Sequence, residues 1–154
     1  QRKNIVEMEA DHFASNLLMP TSRFKQAVQT RKFDFSLIES LTKEFGTSLS
    51  ATLLKYIEID AYPIMVVFSR DNMIEYSWKS HDFPYKYFIE HSSKKTPPLT
   101  VAGDYFNNGL KCDDTEIVEA SEWFSSYDDI RGIKLFEKCI FPNYGKIAIS
   151  IIWQ

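Results

Sequence analysis

The sequence predicts an α+β fold, with an N-terminal helical segment followed by a mainly antiparallel sheet that one or two helices cross. Two observations predict it. Up to about residue 60, apolar residues recur at three- and four-residue steps, the period of a helix with one buried face. From Tyr62 onward the pattern changes to short runs rich in β-branched and aromatic residues, separated by turn residues. The chain therefore divides into residues 1–60, helical, and residues 61–154, β-rich. A compact chain of this length buries roughly 68–70% of its unfolded surface, enough for a sizeable core.

The elements follow in order. In residues 4–19, Val6, Ala10, Phe13, Ala14 and Leu17 form an apolar stripe at helical spacing. Asn4 is placed to cap the start, with Glu7 three residues on as in a capping box, and Pro20 disfavours helical geometry at Met19. Thr21 to Val28 reads as a short helix capped by Thr21 or Ser22. Leu37, Ile38, Leu41 and Phe45 define the next helix, which Gly46 ends. Ser48 caps a further helix reaching about Ile57, with Leu49, Leu53, Leu54 and Ile57 as its apolar side. The last two helices look like a helix-turn-helix. The recognition segment 49–56 carries only Lys55 as a charge and has no arginine for guanine edges, so a structural hairpin is the favoured reading.

Pro63 to Ser69 reads as a buried strand, Arg70-Asp71-Asn72 as a turn, and Met73 to Trp78 as its alternating hairpin partner. Phe83 to Ile89 is an aromatic-rich loop, and Lys94 to Pro98 a polar linker. Val101 to Asn107 reads as a short helix, and Glu116 to Phe124, Ile133 to Phe141 and Lys146 to Trp153 as three more strands. PAS-like or GAF-like sheets are one arrangement of this kind.

The chemistry-bearing segment is Glu7-Met8-Glu9-Ala10-Asp11-His12-Phe13-Ala14-Ser15-Asn16-Leu17-Leu18-Met19-Pro20. Glu7 and Asp11 are four apart and lie one turn above each other on a helix. Such a pair is either a solvated acidic face or part of a metal site. Zinc accepts a carboxylate oxygen beside two imidazoles, and an acid one turn along can orient the ligand. The pattern Glu7-x-x-Ala10-Asp11-x-Phe13-Ala14, then Leu17-Leu18-Met19-Pro20, resembles the third-ligand helix of zinc endopeptidases of the ImmA/IrrE type. Ala120-x-x-Trp123-Phe124, Glu137 and Tyr144-Gly145 resemble, more loosely, the β-rich ending of the longer members. The resemblance implies that Glu7 is the third zinc ligand and Asp11 the polar residue beside it, with Glu9 at a variable position. It also implies a parent protein in which zinc-bound water attacks a peptide carbonyl, with helix-turn-helix repressors as the substrate class.

In that family the two histidine ligands and the catalytic glutamate come from a His-Glu-x-x-His helix, and these 154 residues contain no such motif. His12, His81 and His91 do not pair at four-residue spacing, and His12 is rotated roughly 140° around the helix from Glu7. The expectation is a C-terminal portion of a longer protein whose peptidase segment lies upstream. Alone, the chain is expected to hold no zinc and have no catalytic residue.

A second reading comes from the aromatics. Trp78, Tyr85, Tyr87 and Trp123 are candidates to line a small-molecule pocket, as apolar rings with a few polar groups do. This reading makes the chain a non-catalytic sensing or interaction module; the alternative is that these rings belong to the sheet core. Asp113-Asp114 and Asp128-Asp129 lack calcium-loop spacing and read as loop charges. Net charge is −3, and neither segment is basic, which argues against direct binding of nucleic acid through phosphates. No apolar run spans a bilayer, so no membrane partner is expected. Cys112 and Cys139 show no CxxC spacing and read as reduced, buried thiols of a cytoplasmic protein, with a disulfide as the alternative.

Overall fold

A computed structural model describes residues 14–89 and 93–154; Glu7, Glu9, Asp11, His12 and His91 lie outside the described residues. The fold is α+β, in two compact units, Gln1–Tyr62 and Pro63–Gln154. Among the described residues, no helix is long and apolar enough to cross a membrane.

In the first unit, helical residues 14–18 lead into α1 (Thr21–Val28), α2 (Phe35–Phe45) and α3 (Leu49–Glu58). The α1 helix opens on Pro20, without a side-chain cap. This corrects the cap expected at Thr21 or Ser22. Pro20 stands just before the helix with an extended ψ of 131°, and its carbonyl accepts from Phe24 N at 2.9 Å. Asp34 caps α2, accepting from Leu37 N at 2.8 Å, and its carboxyl is held below the usual range, chiefly by the Ser36 hydroxyl. Gly46, at φ 64°, ends α2 in the left-handed conformation that a residue without Cβ adopts freely. Ser48 then accepts from Ala51 N at 3.2 Å and starts α3. Phe24, Leu37, Ile38, Leu41, Leu53 and Tyr56 form the buried interior, with Phe24 against Phe45 and Phe33 against Tyr56 at about 5 Å between rings.

Two apolar stripes differ from expectation. Leu17 is 65% exposed, because the last turn of its helix buries Met19 instead. On α3 the buried face is Thr52, Leu53, Lys55 and Tyr56, while Leu54 faces solvent. The polar members of that face are admitted because each has partners. Thr52 bonds the Thr42 and Thr47 hydroxyls, and Lys55 is described below.

The second unit is built on a five-stranded antiparallel sheet. Its strands are β1 (Ile64–Arg70), β2 (Met73–Lys79), β4 (Glu116–Glu119), β6 (Lys134–Ile140) and β7 (Ile147–Trp153), in the order β2-β1-β7-β6-β4. A two-stranded ribbon pairs β3 (Tyr87–Phe88) with β5 (Phe124–Ser125). The hairpin β1–β2 turns through Asp71 and Asn72, both at positive φ, the twist that two-residue hairpin loops prefer. Its register slips between Phe68 and Ser69, so that Phe68 pairs Tyr76 while Ser69 pairs Ile74. Glu75 is the inserted residue of a β-bulge. The bulge sends Ile74 to one face of the sheet and Tyr76 and Trp78 to the other, where simple alternation would put all three together.

One face carries Met65, Val67, Val118, Leu135, Cys139, Ala148 and Ile152, packed with residues of α4 (Val101–Asn108) and of the single-turn α5 (Ala120–Trp123). Gly103 permits a close approach within this layer, since a Cβ there would lie 2.1 Å from the Pro97 carbonyl oxygen. The strand expected over Glu116–Phe124 is broken by α5. Ala120 N donates to Ile133 O at 2.8 Å, and the helical turn swings Trp123 inward.

Candidate functional site

The described end of the Glu7–Pro20 motif is fixed from below by α3. Lys55 is the charge that a recognition helix would present to phosphate, yet its side chain is fully buried. Its Nζ donates to Asn16 Oδ1 and Thr21 Oγ1, both at 2.9 Å, and approaches Glu58 Oε1 at 3.5 Å. Asn16 and Thr21 bracket Leu17-Leu18-Met19-Pro20, so one ammonium, donating in three directions, holds both sides of the proline break. Glu58, half exposed, supplies the opposite charge that a buried cation requires. Lys55 thus ties the described end of the motif to α3. The three- and four-residue spacing of Thr52, Lys55 and Tyr56 puts them on one side of α3, but nothing near Lys55 in the sequence marks that side as the buried one.

A second constellation lies in the β-rich unit around Glu137. Leu135, Glu137 and Cys139 alternate onto the helix-covered face, so the strand's period delivers a carboxylate to the core. Glu137 is 0% exposed. Its Oε2 accepts from Val101 N and Trp123 Nε1, each at 3.0 Å. Its Oε1 accepts from Ala102 N at 3.2 Å, Ser150 Oγ at 3.0 Å and Cys139 Sγ at 3.3 Å. Two of these donors are the free amides that open α4, where a carboxylate also meets the positive end of the helix dipole. Burial pushes the Glu137 carboxyl up, and the Trp123 and Val101 donors pull against that rise. Burial, and then the neighbouring Glu137 charge, push the Cys139 thiol well above its ordinary value, which keeps it an inert thiol. The acid joins β6, β7, α4 and α5 through one side chain.

The aromatic candidates fall into separate places. Trp123 is 0% exposed and Tyr85 7%, and both ring systems pack on Phe124, at 6.4 and 5.0 Å. Trp78 and Tyr87 are 40% and 44% exposed, on β2 and β3, strands of different sheets. Trp78 belongs instead to a surface ladder, with Tyr76 4.6 Å away and Tyr76 stacked on Phe68 at 4.7 Å. His81 Nδ1 lies 3.0 Å from Asp82 Oδ1 in an exposed turn. The acids at 113, 114, 128 and 129 are exposed, and Asp129 is paired with Arg131 at 2.7 Å. Both cysteines are free thiols; Cys139 is buried as expected, but Cys112 is only half-buried. At the C-terminal end of α1 an open depression is lined by Lys25, Gln26, Gln29 and Arg31.

The sequence matches no protein-family model and none of the curated proteins.

Proposed function

We propose that this chain is the C-terminal portion of a zinc-dependent endopeptidase resembling the ImmA/IrrE type, acting on helix-turn-helix repressors in the cytoplasm. The observation that carries the reading is the fixed spacing of Glu7-x-x-Ala10-Asp11-x-Phe13-Ala14 and Leu17-Leu18-Met19-Pro20. The Lys55 contacts to Asn16 and Thr21 support it, because a helix that presents a metal ligand needs a rigid foot. So do Leu17 and Leu18, more than half exposed, which suit a helix covered by a further segment.

The chain's own donor set does not suffice for catalytic zinc. One carboxylate at Glu7, with Asp11 beside it, leaves two imidazole positions to be filled from a His-Glu-x-x-His helix outside these residues. The function of this portion is to supply and place Glu7.

The test compares the 154-residue chain with the product of the coding sequence extended upstream of Gln1. The extended protein is expected to contain a His-Glu-x-x-His motif and to hold zinc stoichiometrically by elemental analysis, with Glu7→Gln losing most of it. The 154-residue chain is expected to hold none. An upstream sequence without paired histidines would refute the assignment.

The ladder of exposed Tyr76 and Trp78 on half-buried Phe68 favours a second reading, in which the β-rich unit is a PAS- or GAF-like sensing module. A thermal-shift screen with flat aromatic ligands tests it. A genuine ligand raises the transition in proportion to the logarithm of its concentration, and the W78A variant is expected to lose that rise.

A further inference from the structure

The hairpin end of the sheet carries buried oxygens without partners. Ser69, in the last part of β1, is 0% exposed, and Thr96 is 2% exposed. Among the described residues, neither side-chain hydroxyl has a hydrogen-bond partner, and neither has Asn72 Oδ1 in the turn between them. The three residues belong to one corner. Thr96 N donates to Asn72 O at 3.1 Å, and Ile74, the register partner of Ser69, donates from its N to Lys94 O at 2.7 Å. Asn72 Nδ2 donates to Asn107 Oδ1 at 3.3 Å, which brings in the end of α4.

Buried polar atoms are almost always satisfied, by protein or by ordered water, and the exceptions concentrate where a bound species completes them. The donor inventory selects that species. Asn72 Oδ1 can only accept, while the Ser69 and Thr96 hydroxyls both donate and accept. An anion has nothing to give the amide oxygen. A hard cation would find three neutral oxygens and no carboxylate among them, next to the strap lysines Lys94 and Lys95. Water donates to Asn72 Oδ1 and exchanges hydrogen bonds with the hydroxyls.

We infer that this corner is an internal hydration site, with at least one ordered water bridging Asn72 Oδ1 to the Ser69 or Thr96 hydroxyl and tying the 94–96 strap to the β1–β2 turn. The water is a structural component of the unit and supplies the hydrogen bonds that its protein neighbours do not.

Thr96→Val and Ser69→Ala test it together, since the first replaces the hydroxyl by a methyl of similar size and the second removes it. A bridged hydroxyl predicts a urea midpoint lowered by about half a molar unit in at least one of the two variants; an unchanged or raised midpoint in both would overturn the proposal. A crystal structure of the wild-type 154-residue chain decides independently of how the variants fold. It is expected to show a density peak within about 3.2 Å of at least two of the three oxygens. A dry corner, or a peak with contacts near 2.4 Å as for a metal ion, would also overturn it.

Discussion

Replacing Glu137 by alanine removes one acceptor and strands several donors. Val101 N, Ala102 N and Trp123 Nε1 are held in place by helix and ring geometry and cannot turn elsewhere. Ser150 Oγ and Cys139 Sγ lie 3.3 Å apart and can satisfy each other. Three fixed donors at about 1–3 kcal/mol each give a loss of roughly 3–9 kcal/mol, comparable with the whole stability of a small domain. Glutamine is milder. Its oxygen serves Val101 and Trp123, and its NH2 faces Ser150 and Cys139, which can rotate to accept, so only Ala102 N loses its partner, at about 1–3 kcal/mol. Urea unfolding reads the difference through tryptophan fluorescence. All three tryptophans lie in the β-rich unit, so the signal belongs to it. With a slope of about 1–3 kcal/mol per molar urea, Glu137→Gln moves the midpoint by roughly 1 M, and Glu137→Ala leaves little folded protein. The pH dependence checks the sign. Burial raises the Glu137 carboxyl, so the folded state keeps its proton longer than the unfolded state does. This contribution is full below the unfolded glutamate value and is lost as pH rises through the raised one. The gap between wild type and Glu137→Gln is expected to narrow as pH rises from about 4.5. A loss below about 1 kcal/mol for the alanine variant, or a gap that widens with pH, would refute the reasoning.

Three more expectations follow from the packing. Lys55→Met strips Asn16 and Thr21 of their shared donor, and should destabilise the helical unit by about 1–3 kcal/mol and speed proteolytic cleavage between Ala14 and Thr21; unchanged cleavage would count against the clamp. Gly103→Ala drives a methyl into the Pro97 carbonyl and should cost at least about 1–3 kcal/mol by thermal or urea unfolding, although alanine is the better helix former. Burial pushes the Tyr56 phenol up to about 12 from 10.0, so the helical unit is expected to lose stability between those two values as the unfolded phenol ionises first. Tyr56→Phe should flatten that alkaline limb in far-ultraviolet circular dichroism.

Local signals in the chain announce much of this fold. Gly46 and Ser48 mark the α2–α3 turn because their roles depend only on their own backbone and the next few residues. The strand runs from Ile64, Lys134 and Ile147 are legible for the same reason: each strand's period is written within it. What the sequence conceals is set by distant partners. Lys55 is buried because Asn16 and Thr21, 39 and 34 residues earlier, receive it, and no window around Lys55 contains them. The strand over 116–124 breaks at Ala120 because Trp123 answers to Glu137, 14 residues later. The Glu75 bulge separates Ile74 from Tyr76 and Trp78 although their sequence alternates without a flaw. The aromatic candidates divided on the same ground, since whether a ring is core or surface depends on which sheet receives it. Trp123 and Tyr85 went to the interior, and Trp78 and Tyr87 to the surface.

The Glu137 constellation also bears on how the β-rich unit reaches and leaves its native state. Its donors come from positions 36, 35 and 14 residues earlier and 13 residues later, so it closes only after both strands and both helices have met. Contacts of that kind are expected to form late, past the folding barrier, so Glu137→Gln should speed unfolding more than it slows folding in stopped-flow kinetics. Their weight falls on the reverse reaction: every bond to this carboxylate must break early in unfolding, so Glu137 acts as a latch on the lifetime of the folded state.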